Sequence, residues 1–226
     1  MTPEAAESLR RSAAHVVVDD VTSPILSDGD AHHLFRVLRV AEGDVVSVTD
    51  GRGAWRLCRA VDGSLEATTP VTVEPPRSMP VTIGLAIPKL DRPEWIVQKL
   101  TELGVDRIVW LHAERSVVRW DDQRAAKHLA RLERVAVEAV QQSRRVTVPV
   151  IDAPKAALSF LPGASVAEPG GRPDDGCHPV VAIGPEGGWT ERELAAAADR
   201  ISLGPTVLRV ETAALVAAAR RTCHPA

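Results

Sequence analysis

Hydrophobic and polar positions run in two rhythms along the chain, and the change falls at Glu74-Pro75-Pro76. Before it, short valine-rich runs are broken by turn residues. Residues 15–18, 44–49, 54–61 and 64–73 each read as a strand. Asp50-Gly51-Arg52-Gly53 and Asp62-Gly63 join them, and an aspartate–glycine pair between alternating runs favours a tight hairpin. One helix, 27–41, interrupts the series. At about 100° per residue, Leu34, Val37, Leu38 and Ala41 fall on one side, with His32, Arg36 and Arg39 opposite. The pattern predicts a small β-barrel with one helix, apolar face inward and a basic ridge to solvent.

After the two prolines, which make a stiff extended connector, strands alternate with helices. Residues 81–87 read as a strand. Asp91 as cap, Pro93 in the first turn and Gly104 past the end frame a helix with the stripe Ile96, Val97, Leu100 and Leu103. Residues 107–111 form a near-continuous apolar run, as parallel strands do. A long helix is predicted over 121–143, with Ala125, Leu129, Leu132, Ala136 and Ala139 on one stripe. A short helix is expected within 149–162, a strand at 165–167 and a Gly/Pro/Asp loop at 169–179. A strand at 180–183, a helix at 190–198, a strand at 201–203 and a helix at 211–221 complete the pattern. This is an α/β fold with a mostly parallel sheet. The expected division is 1–74 and 75–226.

Composition narrows the class. Of 226 residues, 45% are apolar and 25% charged, which excludes a disordered or collagen-like chain. No apolar run approaches the length needed to cross a bilayer. The first residues, MTPEAAESLRR, lack the apolar core of a secretory signal, so the cytoplasm is the expected location, with no membrane partner. Cys58, Cys177 and Cys223 are widely spaced and form no CxxC, so neither a disulfide framework nor a metal site is expected. The net charge of −3 hides a split. Residues 1–74 hold 12 acidic and 7 basic side chains, and 75–226 hold 18 and 20. Any nucleic-acid contact must therefore come from local basic stripes.

Two stretches carry candidate chemistry. In Val180 to Thr190, a buried strand runs into Gly184-Pro185-Glu186-Gly187-Gly188 and then a helix capped by Thr190, with Glu193 completing a capping box. Glycines let the backbone approach a ligand, and the crevice beyond a parallel strand's C-terminal end is where such sheets bind one. The turn is neither GxGxxG nor a P-loop, so pyrophosphate binding has little support. In the second stretch, Leu203-Gly204-Pro205-Thr206-Val207-Leu208-Arg209-Val210-Glu211-Thr212-Ala213, Arg209 and Glu211 precede an almost wholly apolar helix that Thr212 or Glu211 can cap. A charged pair beside a buried helix favours a ligand site.

Together these motifs resemble the SPOUT class of RNA methyltransferases, and within it the RsmE-type family, which methylates uridine N3 in small-subunit (16S) ribosomal RNA. HHLFRVLRVAEGD at 32–44, QKLTELGV at 98–105, ERS at 114–116 and EAVQQSRR at 138–145 extend the resemblance over nearly the whole chain. The chain departs from the family pattern at Ser12-Ala13-Ala14, at Arg144 and in a short 168–179 loop, where Glu168 is the one acidic counterpart.

The resemblance implies a PUA-like RNA-binding β-barrel followed by a knotted α/β methyltransferase domain that forms a homodimer. It implies S-adenosylmethionine as cofactor, held by Gly184, Pro185, Glu186, Gly187, Gly188, Leu203, Gly204, Leu208, Arg209, Val210, Thr212 and Ala213. The partner would be ribosomal RNA or the small ribosomal subunit, with no metal. Uridine N3 must lose its proton to react, so a guanidinium near the imide oxygens would stabilise the developing charge. Arg209 is the candidate catalyst, and Glu211 would orient it or take the proton through water. RNA would be positioned by His32, Arg36, Arg39, Arg52 and Arg56, and by Arg115, Arg119, Arg144 and Arg145 around the cofactor cleft. The alternatives are another methyltransferase of the class, acting on transfer RNA or a ribose 2′-hydroxyl, and a non-catalytic ribosome-assembly factor that only binds RNA.

Overall fold

The computed structural model describes residues 2–89 and 92–223, so the expected cap Asp91 lies outside the described residues. Two compact units are formed. One takes residues up to 77 together with 137–148, and the other takes 78–136 and the chain from 149 onward.

The first unit begins with a helix that the hydrophobic pattern did not predict, α1 (Pro3–Arg11). Thr2 caps it by accepting from the Ala5 amide, and Pro3 sits in the first turn where no amide is needed. The sheet follows. β1 (Ala14–Val17) runs parallel to β2 (Val45–Thr49), and β3 (Ala54–Val61) is antiparallel to β2, β4 (Ser64–Ala67) and β5 (Thr72–Val73). Asp62 and Gly63 turn the chain with φ of 47° and 73°, the conformation their pairing favours. The single strand expected over 64–73 is two. Between them the Leu57 amide donates to the Thr69 hydroxyl and the Leu57 carbonyl accepts from the Thr68 amide and hydroxyl, which displaces the regular ladder.

The helix expected over 27–41 is shorter and is wound differently. α2 (Asp28–His32), capped by Ser27, passes into a π-helical turn, His33–Val37, and the chain reverses at Arg39 with φ 56°. The wider turn shifts the inward face. Leu34 and Val40 are buried and Phe35 packs partly against the same core, but Val37 and Leu38 are 57% and 50% exposed rather than packed. His32, Arg36 and Arg39 remain exposed, as the angular pattern requires. The core itself gathers Val16, Val46, Val48, Cys58, Ala60 and Leu65 from four strands.

Segment 144–148 is held to this unit by buried polar bonds. His15 accepts from the Ser47 hydroxyl on one ring nitrogen and donates from Nε2 to the Arg145 carbonyl, each at 2.7 Å. Burial pushes the His15 pKa down to about 4, so the ring is neutral at physiological pH. Thr49 donates to the Val146 carbonyl at 2.9 Å, and that carbonyl also takes the Gly53 amide.

The second unit is a six-stranded, all-parallel sheet. Its members in chain order are β6 (Thr82–Ala86), β7 (Arg107–His112), β8 (Val150–Ala156), β9 (Ser165–Pro173), β10 (Val180–Ile183) and β11 (Asp199–Ser202). The spatial order is β11-β9-β10-β6-β7-β8. The connecting helices are α3 (Arg92–Glu102), α4 (Asp122–Ser143), α5 (Ala157–Phe160), α6 (Glu191–Ala196) and α7 (Val210–Thr222). On one face, Leu111, Leu161, Val166, Ala182, Trp189 and Leu194 form a core, and α7 packs on β6 and β10 beside α3. Apolar area removed from water in this way is the main stabilising term for such a layered unit.

Two elements differ from expectation. Residues 150–156 form an edge strand, β8, ahead of the short helix. β9 runs on to Pro173 instead of yielding to a loop at 169. Along its pairing with β11 the partners jump from Arg200↔Val166 to Ile201↔Arg172, so residues 167–171 leave the β11 ladder as an excursion, while Ala167 stays paired with Ile183 of β10. Gly171 returns the chain tightly. A Cβ there would lie 2.6 Å from the Ile201 backbone, closer than real side chains approach.

Candidate functional site

The β9 excursion and the C-terminal ends of β10 and β11 converge on a cavity of about 320 Å³. That volume lies at the lower end of the range for small-molecule sites. Three stretches line it: Ala167–Pro169 from the β9 excursion, 183–189 after β10, and 202–210 after β11, with Ala213 behind. The two turn segments singled out from sequence therefore come together in one crevice.

Local sequence explains each wall. After β10 the chain enters Gly184, where a Cβ would lie 3.0 Å from the buried Trp189 indole, so any larger residue would require that ring to shift. Gly188 has φ 70°, which favours glycine, and open space where its side chain would project. The turn ends in the predicted capping box, with Thr190 accepting from the Glu193 amide and Glu193 from the Thr190 amide. Glu193 is wholly buried and its other oxygen accepts the Glu114 amide at 2.8 Å. Thus 114–116 is fixed to the turn after β10.

Of the expected cofactor-holding residues, Gly184, Pro185, Glu186, Gly188, Leu203, Gly204, Leu208, Arg209, Val210 and Ala213 line the cavity. Gly187 and Thr212 do not. Gly187 instead presents its carbonyl to Arg115 Nη1 at 3.1 Å, and Thr212 lies exposed on α7. Glu168, named from sequence only as a counterpart of a family residue, is a lining residue, as are Thr206 and Val207.

Arg209 is the N-cap of α7, with extended backbone and no side-chain cap bond, so the expectation that Thr212 or Glu211 caps this helix is corrected. Its side chain is exposed and, among the described residues, has no hydrogen bond or ion pair. The expected partnership with Glu211 is also corrected. Glu211 Oε1 takes Arg92 Nη1 at 2.7 Å, and Glu211 Oε2 is buried with no hydrogen-bond partner. The helix turn points positions 209 and 211 in different directions, since residues two apart do not share a face. Arg92 is a residue the sequence reading missed; its distance of 119 positions from Glu211 hides the pair.

The residues present fit an adenosine-bearing methyl donor. The cavity is lined by backbone-rich glycine turns and by Ile183, Leu203, Leu208 and Val210, with Glu168 and Glu186 as acidic groups. An apolar wall with a few convergent polar groups is the usual make-up of a cofactor site. The Trp189 indole nitrogen beside Gly184 is buried and unbonded, a donor for which the described residues supply no acceptor.

Comparison with known proteins agrees with this geometry. A family model described as an RNA methyltransferase domain matches residues 75–167 and 173–221, and one described as an RNA methyltransferase PUA domain matches 26–62. The ribosomal RNA small subunit methyltransferase E of Mycobacterium tuberculosis is 33% identical, covering 88% of this chain and 86% of its own. This chain belongs to the ribosomal RNA small subunit methyltransferase E family. The family member from Bacillus subtilis is 29% identical over 88% of this chain and 90% of its own. The fold is that of a solved member of the family from Neisseria gonorrhoeae bound to S-adenosylmethionine. That chain is 28% identical, with a TM-score of 0.74, covering 91% of this chain and 95% of the other.

The basic residues expected to position RNA separate into two groups. His32, Arg36, Arg39 and Arg52 are exposed, and among the described residues their side chains have no hydrogen bond or ion pair. The others are engaged. Arg56 bonds the carbonyls of Thr69, Val21 and Thr22. Arg115 holds the carbonyls of Gly187 and Trp189 at 3.1 and 3.2 Å, and Arg119 holds that of Ala113 at 2.9 Å. Arg144, with φ 62°, reaches the carbonyls of Gln141 and Ser12, and Arg145 reaches the Thr147 hydroxyl. Arg144 and Arg145 belong to the first unit, and neither is among the residues that line the cavity. Among the described residues no cluster of side chains could hold a metal ion, and no helix is long and apolar enough to cross a membrane.

Proposed function

We propose that this family member transfers a methyl group from S-adenosylmethionine to N3 of a uridine in small-subunit ribosomal RNA. The observation that carries the reading is the convergence of the β9 excursion and the loops after β10 and β11 on one cavity, in a chain whose family includes a donor-bound structure. S-adenosylmethionine supplies an electrophilic methyl on a sulfonium. The protein's part is to hold an acceptor atom in line and to stabilise the charge that appears on it.

Arg209 stands at the lip of the cavity with a guanidinium that no internal partner claims. In that position it stabilises negative charge on the uracil oxygens as N3 gives up its proton. Glu211 is a positioning residue: its bond to Arg92 ties the first turn of α7 to α3, and so fixes the loop that presents Arg209. His32, Arg36, Arg39 and Arg52 bind RNA phosphates, which sets register without reading sequence. Homodimerisation is supported by apolar side chains left partly exposed on α3 and α7, namely Trp95, Leu215 and Val216. The knotted path of the C-terminal segment, the division at residue 74 and a cytoplasmic location belong to the same reading.

The test is mass mapping of modified nucleosides in small-subunit RNA from cells with and without the gene. One N3-methyluridine must disappear with the gene and return when purified protein and S-adenosylmethionine are added. An unchanged map contradicts the proposal.

A further inference from the structure

The short stretch after β9 has a task that the chemistry above does not absorb. Asp174 and Arg221 form an ion pair that is almost fully enclosed, with side chains 0% and 1% exposed and nitrogen–oxygen distances of 2.8 and 3.0 Å. Arg221 Nε also donates to the His178 carbonyl at 2.6 Å, and its Nη1 to the Ala217 carbonyl at 3.0 Å. Residues 174–178 are thereby fastened to the last turns of α7. Gly176 allows this approach, since a Cβ there would lie 2.9 Å from the Arg220 carbonyl oxygen.

The neighbouring Arg220 faces the cofactor side of the same cluster. Its Nη2 donates to the Leu203 carbonyl at 3.0 Å, its Nη1 to the Asp174 carbonyl at 3.3 Å, and it pairs with the Asp174 carboxylate at 3.5 Å. The Asp174 amide donates to the Ser202 carbonyl at 3.1 Å, and the Ser202 hydroxyl to the Gly204 carbonyl at 3.1 Å. Ser202, Leu203 and Gly204 all line the cavity. Three consecutive carbonyls of one wall are thus held, two of them from the far side by a single charged cluster.

We propose that Arg220 and Asp174 are positioning residues that set the affinity of the cavity for the methyl donor, by holding the 202–204 wall in its binding conformation before the donor arrives. The proposal rests on the reading of the cavity given above. A wall held in place beforehand does not have to be ordered at the expense of binding. Arg107 and Arg172 pair with carboxylates away from this wall. Arg220 reaches Leu203 on the 202–204 wall, as Arg115 reaches Trp189 on the wall after β10.

Asp174→Asn would leave the enclosed Arg221 charge without its counter-charge, so that variant is expected to unfold locally. Arg220 is 35% exposed, and its removal leaves the Asp174–Arg221 pair intact. The experiment uses the full chain with Arg220→Met and Arg220→Lys, titrated calorimetrically with S-adenosylmethionine and assayed for methyl transfer to small-subunit RNA. Arg220→Met is expected to raise the donor Kd and the donor KM by about tenfold, as for loss of a charge-assisted bond. At saturating donor, kcat and the RNA KM should stay within about twofold of wild type, and Arg220→Lys should recover part of the donor affinity. Donor affinity unchanged in Arg220→Met overturns the proposal, and so does a loss shared equally by kcat and RNA binding. If Arg220→Met does not fold, the same donor-selective loss must appear, in smaller measure, in Arg220→Lys; its absence there overturns the proposal. Wild-type protein that fails to bind the donor would remove the reading of the cavity itself, whereas equal binding by wild type and variant removes only the role of Arg220.

Discussion

Two sets of arginines, one in each unit, do opposite work. In the first unit, Arg36 and Arg39 stand exposed on and just after a π-helical turn, with no internal partner among the described residues. In the second unit, Arg115 and Arg220 are bonded to backbone carbonyls of the two loops that wall the cavity. The first kind of cation is available to an anionic partner. The second has exchanged water for carbonyls and fixes main chain. A count of basic residues treats them alike, yet only the exposed kind should contribute to salt-dependent RNA binding.

Arg209 joins features of both kinds, and it offers the largest effect. It lines the cavity but has no internal partner. Arg209→Ala is expected to lower methyl transfer by about 10²–10³-fold, the range for loss of one charge-stabilising donor, while donor affinity stays within several-fold. Single-turnover kinetics with calorimetry separate the two. Abolished donor binding in a folded variant would make Arg209 a clamp of the donor instead.

The next effect concerns the polar bond that fixes 144–148 to the barrel unit. His15 is buried and neutral, with its pKa pushed down to about 4 from the usual 6.5. Between these values the unfolded chain binds a proton that the folded protein does not. Stability is therefore full above pH 6.5, falls as pH drops towards 4, and then levels. The loss is about 3 kcal/mol. Urea unfolding at pH 7 and pH 4.5 measures it, and His15→Gln should flatten this part of the profile.

The double substitution Arg36→Ala with Arg39→Ala probes the exposed kind directly. The slope of log affinity against log salt should shrink by about 1.5, as expected for two lost phosphate contacts. Arg115→Ala supplies the contrast. It should leave that slope unchanged and weaken donor binding by about fivefold, since one guanidinium–carbonyl attachment of the turn is lost. A changed slope in Arg115→Ala would erase the distinction between the two kinds.

Much of the cavity was legible in the sequence because its signals are local. Gly184 to Gly188 sits where a buried strand meets a capped helix, and the Thr190–Glu193 box forms as its spacing implies. The Asp62–Gly63 turn is local too. What stayed hidden depends on distant partners or on a change of period. The π turn at His33–Val37 rotates Val37 and Leu38 out of the face that an even helical angle gives them. β8 was missed because Asp152, Pro154 and Lys155 break its apolar pattern, which an edge strand tolerates. The β9 excursion contains Pro169, Gly170 and Gly171, which read as loop and do leave the ladder, but the strand resumes beyond them. Helix α1 carried its signals, Thr2 before Pro3 and Glu4, in a stretch read only for targeting. The partners of Arg92, Arg115 and Arg220 lie 119, 72 and 17 residues away, so their roles appear only in the folded chain.

The most direct test of the account is hydrogen–deuterium exchange with and without S-adenosylmethionine. Protection is expected in three separate stretches, 167–169, 183–189 and 202–210, with the strands of the first unit unchanged. Protection confined to one of these stretches, or centred outside them, would contradict the claim that the three loops form a single seat for the methyl donor.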